Sequence, residues 1–351
     1  MDTYTPFFTL IIFARAKLER IYTMKHIIDT KFYPGWTRKA ISFSIDDGNL
    51  VMDQKFKDIV EPYGIKGTFN LCSDRLTKMS PEEYREFYRG YEIANHCKYH
   101  VSAFLDGTEY DFSDEPFDAK NLLANVPFDA KIADKSKVYP DANIKGLCYY
   151  TKWNGRWYTA AKDEDYKRFI LEGHRELEEI FGEGSIRCFI WPCGLQKNAV
   201  LIDFVRNELK GYYGAREGHS WGVGEEAFAL PANRMAYGLT TRHQDLLKTA
   251  ELYEALPDDG ELKYFCFGVH SIDYERDEKW GDLQIFAETY GARPEDYYYA
   301  STGEIFDYAD AVASLEIGDD EITNPSAIDV YVKIDGERRV IKAKRTIRIG
   351  E

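Results

Sequence analysis

Asp46 and Asp47 close the run KAISFSIDDG, and His96 and His100 close YEIANHCKYH as a His-x-x-x-His pair. One carboxylate and two imidazoles are donors of the kind Zn²⁺ takes in catalytic sites, where three protein ligands leave a fourth position open. The second carboxylate then remains to act as general base on the water that such an ion activates. A third apolar run, KYFCFGVH, ends in His270. Taken singly, each residue has an ordinary reading: Asp-Asp-Gly as a turn, histidines four apart as a helix surface, a strand-end His as a satisfied polar group. Their joint placement at the ends of successive apolar runs is what points to a metal site and to catalysis.

Those runs must be strands. Ile41, Phe43 and Ile45 alternate up to the two aspartates; YGIKGTFNL and YEIAN follow as further short apolar runs. Between them, Asp53 to Pro62 has apolar residues at helical spacing, and Ser80-Pro81 with Glu83 reads as a capped helix start. Strand, helix, strand, helix, strand in so few residues predicts parallel βαβ units, whose sites lie at the strand ends. Further on, Asp163–Phe181 reads as an amphipathic helix stopped by Gly182, with His174 structural within it. SIRCFIWPCG is another strand, ending in a Pro-Gly turn (Trp191, Pro192, Cys193, Gly194) whose backbone N–H groups could face a ligand as an oxyanion hole. Helices are expected over 198–209, 246–256 and 278–290, and a strand and closing helix over 297–312. GYYGAREGHSWG carries Arg216, His219 and Trp221 as candidate substrate contacts.

The 351 residues suffice for one large α/β domain with an appendage. A hydrophobic fraction of 44% and a charged fraction of 30% are those of a soluble globular protein. The net charge of -15 repels phosphate backbones and argues against nucleic acid as a partner. Six cysteines without a Cys-x-x-Cys pair read as reduced thiols of a cytoplasmic protein; Cys97, between the two histidines, is a further candidate ligand or else a small buried side chain. PFFTLIIFA lacks a preceding basic residue and is too short to span a membrane, so no membrane association is expected. Residues 1–23 are read as an extension or a misassigned start ahead of Met24.

Residues 104–160 read as an insert with structure of its own, because a structureless loop of that length is uncommon. Its clearest piece is a hairpin about Asn154-Gly155, where Trp153 and Trp157 either stack on a sugar or form cross-strand pairs. Residues 318–351 alternate around Asp335-Gly336 as a small β-hairpin appendage, a candidate oligomer contact.

SIDDG, His96-x-x-x-His100, the WPCG turn and the late strand ending in His270, in that order, resemble the successive motifs of polysaccharide deacetylases of the NodB-homology type, carbohydrate esterase family 4. The likeness runs from about Lys39 to Ala311. It implies an α/β fold, a distorted (β/α) barrel with fewer strands than the eightfold form, over residues 24–317 with the insert inside it. It also implies a divalent metal, usually Zn²⁺, held by Asp47, His96 and His100, with Asp46 as base, the Cys193 N–H on the oxyanion and His270 as acid. Two positions depart from the family pattern. Ile190 stands where the family carries an Arg that orients the base, leaving Arg187 and Arg216 as candidates; and the Asp that tunes the acid His has no match.

The function expected is removal of an acetyl group from an amino sugar or glycan, with a metal-activated water of pKa about 7 as nucleophile. An O-acetyl esterase and a catalytically silent carbohydrate-binding protein are the alternatives. A guanidinium beside Asp46 would favour an enzyme.

Overall fold

The computed structural model describes residues 26–100, 102–103, 112–113, 131–133, 148–153, 156–161, 163–192, 198–209, 228–230 and 246–350. The chain forms two compact units: residues 39–306, and the described residues up to 38 together with 307–350. The first strand, β1 (Ile28–Asp29), belongs to the smaller unit.

The larger unit is built on β2 (Lys39–Asp46), β3 (Gly67–Leu71) and β4 (Glu92–Asn95), joined by helices at Leu50–Val60 and Pro81–Phe87. Almost every residue of these strands is buried, as expected of a parallel sheet covered on both faces. The first helix starts earlier than its apolar periodicity predicts because Asn49 caps it, its side chain accepting from Met52 N–H at 3.2 Å. The second has the expected capping box: Glu83 N–H donates to Ser80 Oγ and Ser80 N–H to Glu83 Oε2.

The insert and the residues flanking it contribute short strands β5 (Ser102–Ala103), β6 (Phe112–Ser113), β7 (Lys131–Ala133), β8 (Cys148–Trp153) and β9 (Arg156–Ala161) in a sheet of order β5-β9-β8-β7-β6. β8 and β9 are antiparallel about residues 154–155, which lie outside the described residues. Their register sets Trp153 opposite Arg156 and Trp157 opposite Lys152, so the two tryptophans are not register partners.

A helix runs over Asp163–Phe181 as its periodicity predicts, and others over Ala199–Glu208 and Leu246–Glu254. Next, β10 (Lys263–His270) lies parallel to β2 along its whole length, and β11 (Tyr297–Tyr299) pairs with Lys39–Ile41. The order β10-β2-β3-β4, extended by a parallel bridge from Asn95 to Phe189, is the wall of a distorted (β/α) barrel. Its core is aromatic: the Phe43 ring meets Phe56, Phe267 and Phe286 edge-on at 5.3–5.8 Å.

In the smaller unit, β12 (Glu316–Ile317), β13 (Glu321–Asn324), β14 (Val330–Ile334), β15 (Glu337–Ile341) and β16 (Arg345–Arg348) form two antiparallel sheets, β1-β14-β15 and β12-β13-β16. Asp335 and Gly336 both have positive φ, the signature of the tight turn that their sequence predicts.

Candidate active site

Parallel register assembles the site. His270, Asp46 and Asn70 are direct partners across β10, β2 and β3, and β4 ends at Asn95, one residue before His96. Four strand ends thus deliver their polar residues to one place, as the periodicity alone requires.

Asp46 is 6% exposed, and its Oδ1 accepts from Asn70 Nδ2 at 2.6 Å. Asp47 departs from the strand with φ 81°, a left-handed conformation costly for a side chain other than glycine. Its N–H donates to Asn70 O at 3.0 Å, so one asparagine restrains both aspartates. Around the Asp47 carboxylate stand His100 Nε2 at 3.4 Å, His96 Nε2 at 3.6 Å, His270 Nε2 at 3.9 Å and Arg75 Nη1 at 3.2 Å. Burial by itself would raise the Asp47 carboxyl. The imidazoles of His100 and His270, the Arg75 guanidinium and His96 outweigh it and hold the group well below the usual carboxylate range.

His96 is 1% exposed, and its Nδ1 pairs with Ile190 O at 2.8 Å, which turns Nε2 toward Asp47. Burial brings this imidazole down to about 4 against the pull of Asp46 and Asp47, so it is neutral at pH 7, the form that coordinates a metal. The loop behind it is held closely by the 163–181 helix. A Cβ at Gly173 would lie 2.7 Å from Lys98 N and 2.8 Å from Cys97 C, so only glycine lets the helix approach.

His270 Nδ1 donates to Asp273 Oδ2 at 2.8 Å, and Arg276 Nη1 holds the other oxygen of that carboxylate at 2.7 Å. Burial opposes protonation of His270, but the Asp273 hydrogen bond and the charges of Asp47 and Asp46 prevail and raise its pKa. The next residue, Ser271, donates to buried Asp53 at 2.6 Å, which also accepts from Tyr88. Burial pushes the Asp53 carboxyl up to about 7.

The donors fit a divalent ion. Among the described residues, His96 Nε2 is buried with no hydrogen-bond partner, while Asp47 Oδ1 has Arg75 Nη1 at 3.2 Å. Such orphaned atoms are rare unless something else satisfies them, and carboxylate with neutral imidazole is a donor set zinc accepts. Asp47, Cys72 and His96 also place one donor atom each within 4.8 Å of one another.

Of the residues singled out in sequence, Asp46, Asp47, His96, His100 and His270 come together. Trp191 and Pro192 are buried, and the Trp191 ring packs against Phe189 and Tyr166 in the core rather than lining a surface. Cys193, Gly194, Arg216, His219 and Trp221 lie outside the described residues. Cys97 packs in the cluster with Phe169 and Trp191, whereas the cysteine beside the metal donors is Cys72. Arg187 stands by Glu92, at the start of β4 and so at the far end of that strand from His96. Sequence reasoning missed Asn70, Cys72, Arg75 and Asp273. The Asn within the apolar run TFNL and the His-x-x-Asp spacing of HSID were the available signals.

The family model for polysaccharide deacetylases matches residues 35–210, half of the chain, and the chain belongs to this family of hydrolases. No protein of curated function matches the sequence. Among solved structures, the chain is similar to a family 4 acetyl xylan esterase from Clostridium thermocellum, in complex with a cobalt ion. Identity there is 13%, over 76% of this chain and 90% of that one, with a TM-score of 0.41. It is also similar to a CE4 esterase of Streptococcus mutans (13% identity, 75% and 86% coverage, TM-score 0.41). PuuE allantoinase is a third (14% identity, 78% and 90% coverage, TM-score 0.49). Among the described residues, no helix is long and apolar enough to cross a membrane.

Proposed function

We propose that this protein removes an acetyl group from the amino group of an amino sugar or glycan, with a divalent ion, Zn²⁺ by its donors, held by Asp47, His96 and His100. The observation that carries this reading is the buried, unpartnered Nε2 of His96 facing Asp47, flanked by a second aspartate and a third histidine. Bound there, the ion supplies an activated water and positive charge toward the acyl oxygen.

The protein's own groups do the rest. Asp46, oriented by the Asn70 amide, takes a proton from the attacking water. His270 donates its Nδ1–H to Asp273, and the charge there, with those of Asp47 and Asp46, favours the imidazolium, whose Nε2 proton goes to the departing nitrogen. The backbone N–H of Cys193 is the family's further oxyanion donor. Asn70 at Asp46 supports the enzyme over a silent binder, since it holds the base in one orientation.

The test is metal content together with acetate release from N-acetyl and O-acetyl sugars, for the wild type and Asp46→Asn. Release from N-acetyl substrates with about one ion per chain, lost by about 10²–10⁴-fold in Asp46→Asn while the ion stays bound, is the expected result. Release from O-acetyl sugars alone would make the protein an esterase, and absence of any ion after reconstitution would overturn the site.

A further inference from the structure

Cys72 follows the last residue of β3, and its side chain is wholly buried. Its sulfur lies within the 4.8 Å group that Asp47 and His96 donor atoms complete. The thiol donates to His96 O at 3.1 Å, a weak interaction that leaves the sulfur lone pairs uncommitted. Beside it, the 1% exposed His96 directs an unpartnered Nε2 toward Asp47. A sulfur next to a buried nitrogen without a hydrogen-bond partner and a carboxylate is the beginning of a mixed S/N/O coordination shell.

We propose that Cys72 is a ligand to the ion, adding a thiolate to the Asp47 and histidine donors. This rests on the reading that the cluster holds a divalent metal. On binding, the Cys72 S–H bond breaks, a sulfur–metal bond forms and the proton leaves to solvent. With bonds of about 2.0–2.3 Å, the ion would draw its donors closer together than 4.8 Å, so the Cys72 and His96 side chains would close on it by a small movement, and with a thiolate added to Asp47, His96 and His100 the shell would expand to five to keep a position for the water. Sulfur selects the ion. A borderline or soft metal such as Zn²⁺ or Co²⁺ is favoured over Mg²⁺ and Mn²⁺, which a purely nitrogen and oxygen set accommodates more readily. The added negative charge also makes the ion a weaker Lewis acid, which places more of the water activation on Asp46.

Cobalt reports the bond directly. The full chain is stripped with chelator, loaded with Co²⁺, and measured for bound cobalt and for its absorption spectrum. The expected result is about one cobalt per chain, with an intense thiolate-to-cobalt charge-transfer band in the near ultraviolet. The band disappears in Cys72→Ser with cobalt still bound, and persists in Cys97→Ser and Cys193→Ser. Stoichiometric cobalt with no such band in the wild type overturns the proposal without recourse to any variant, as does a band that survives Cys72→Ser. Should Cys72→Ser not fold, Cys72→Ala takes its place, with the circular dichroism spectrum as the check. A folded wild type that binds no cobalt overturns the metal reading itself, an outcome read from the metal content alone.

Discussion

The two ends of the parallel strands both bury charged groups, and they treat them oppositely. At the strand starts, the Glu92 side chain is 8% exposed and fully engaged: Oε2 accepts from Gly303 N–H and Thr68 Oγ1, each at 2.8 Å, and Oε1 faces Cys188 and Arg187. At the strand ends, His96 Nε2 is buried with no hydrogen-bond partner among the described residues and Asp47 is held in a left-handed conformation. Burying a charge or a polar atom costs free energy unless the protein compensates it. At the first end the Glu92 carboxylate is compensated from within; at the second, His96 Nε2 has no hydrogen-bond partner among the described residues. A structural carboxylate and a functional one are therefore told apart here by satisfaction, not by burial.

The largest effect expected from this contrast is at His96. In His96→Ala, metal content and acetate release fall together to background, and zinc no longer raises the melting temperature. Retention of the full zinc-dependent shift would mean that the orphaned nitrogen is not a ligand. Asp273→Asn ranks next. Asp273 is a positioning residue acting through His270, so kcat falls by about tenfold or more with metal content unchanged. Because Asp273 raises the His270 pKa, its loss lowers that value. The acid is then deprotonated at lower pH, and the descending limb of the pH–rate profile moves to the acid side. A limb that stays in place would leave Asp273 as a mere tether of the following helix.

What was legible in sequence follows from the same physics. Period-two runs and a capping box fix strands and helices locally, so β2, β3, β4, β10 and the 81–87 and 163–181 helices fall where the pattern sets them. Because a parallel register brings strand ends together, Asp46, His96 and His270 could be gathered from their positions alone. Residues that support others through tertiary contact could not. Asn70 is one polar residue in an apolar run, Cys72 resembles any buried thiol, and Arg75 reaches Asp47 from a turn whose path no period describes. Trp191 differs for a related reason: the Pro-Gly turn it opens reads as exposed toward a ligand, yet Tyr166, three residues into the 163–181 helix, packs on its ring. Asp273 was closer to visible, since three residues along a helix returns a side chain to the same face.

Glu92 offers the smallest effect on chemistry and the sharpest control. Replacing it by Ala removes the acceptor of Gly303 N–H and Thr68 Oγ1 and leaves both donors without their partner, at a cost of about 1–3 kcal/mol. Burial already raises the Glu92 pKa, so its folded-state carboxyl holds a proton to higher pH than the unfolded one, near 4.5. Stability referred to that group therefore falls as pH rises from the unfolded value toward the folded one, and Glu92→Ala loses this slope. Glu92→Gln keeps an acceptor oxygen for both donors and should recover most of the stability. Neither variant should alter metal content or kcat, because the group closes its account at the strand starts. A change in metal affinity in Glu92→Ala, with the melting transition still cooperative, would show that the two ends communicate along β3 and β4, and that satisfaction at one end conditions metal binding at the other.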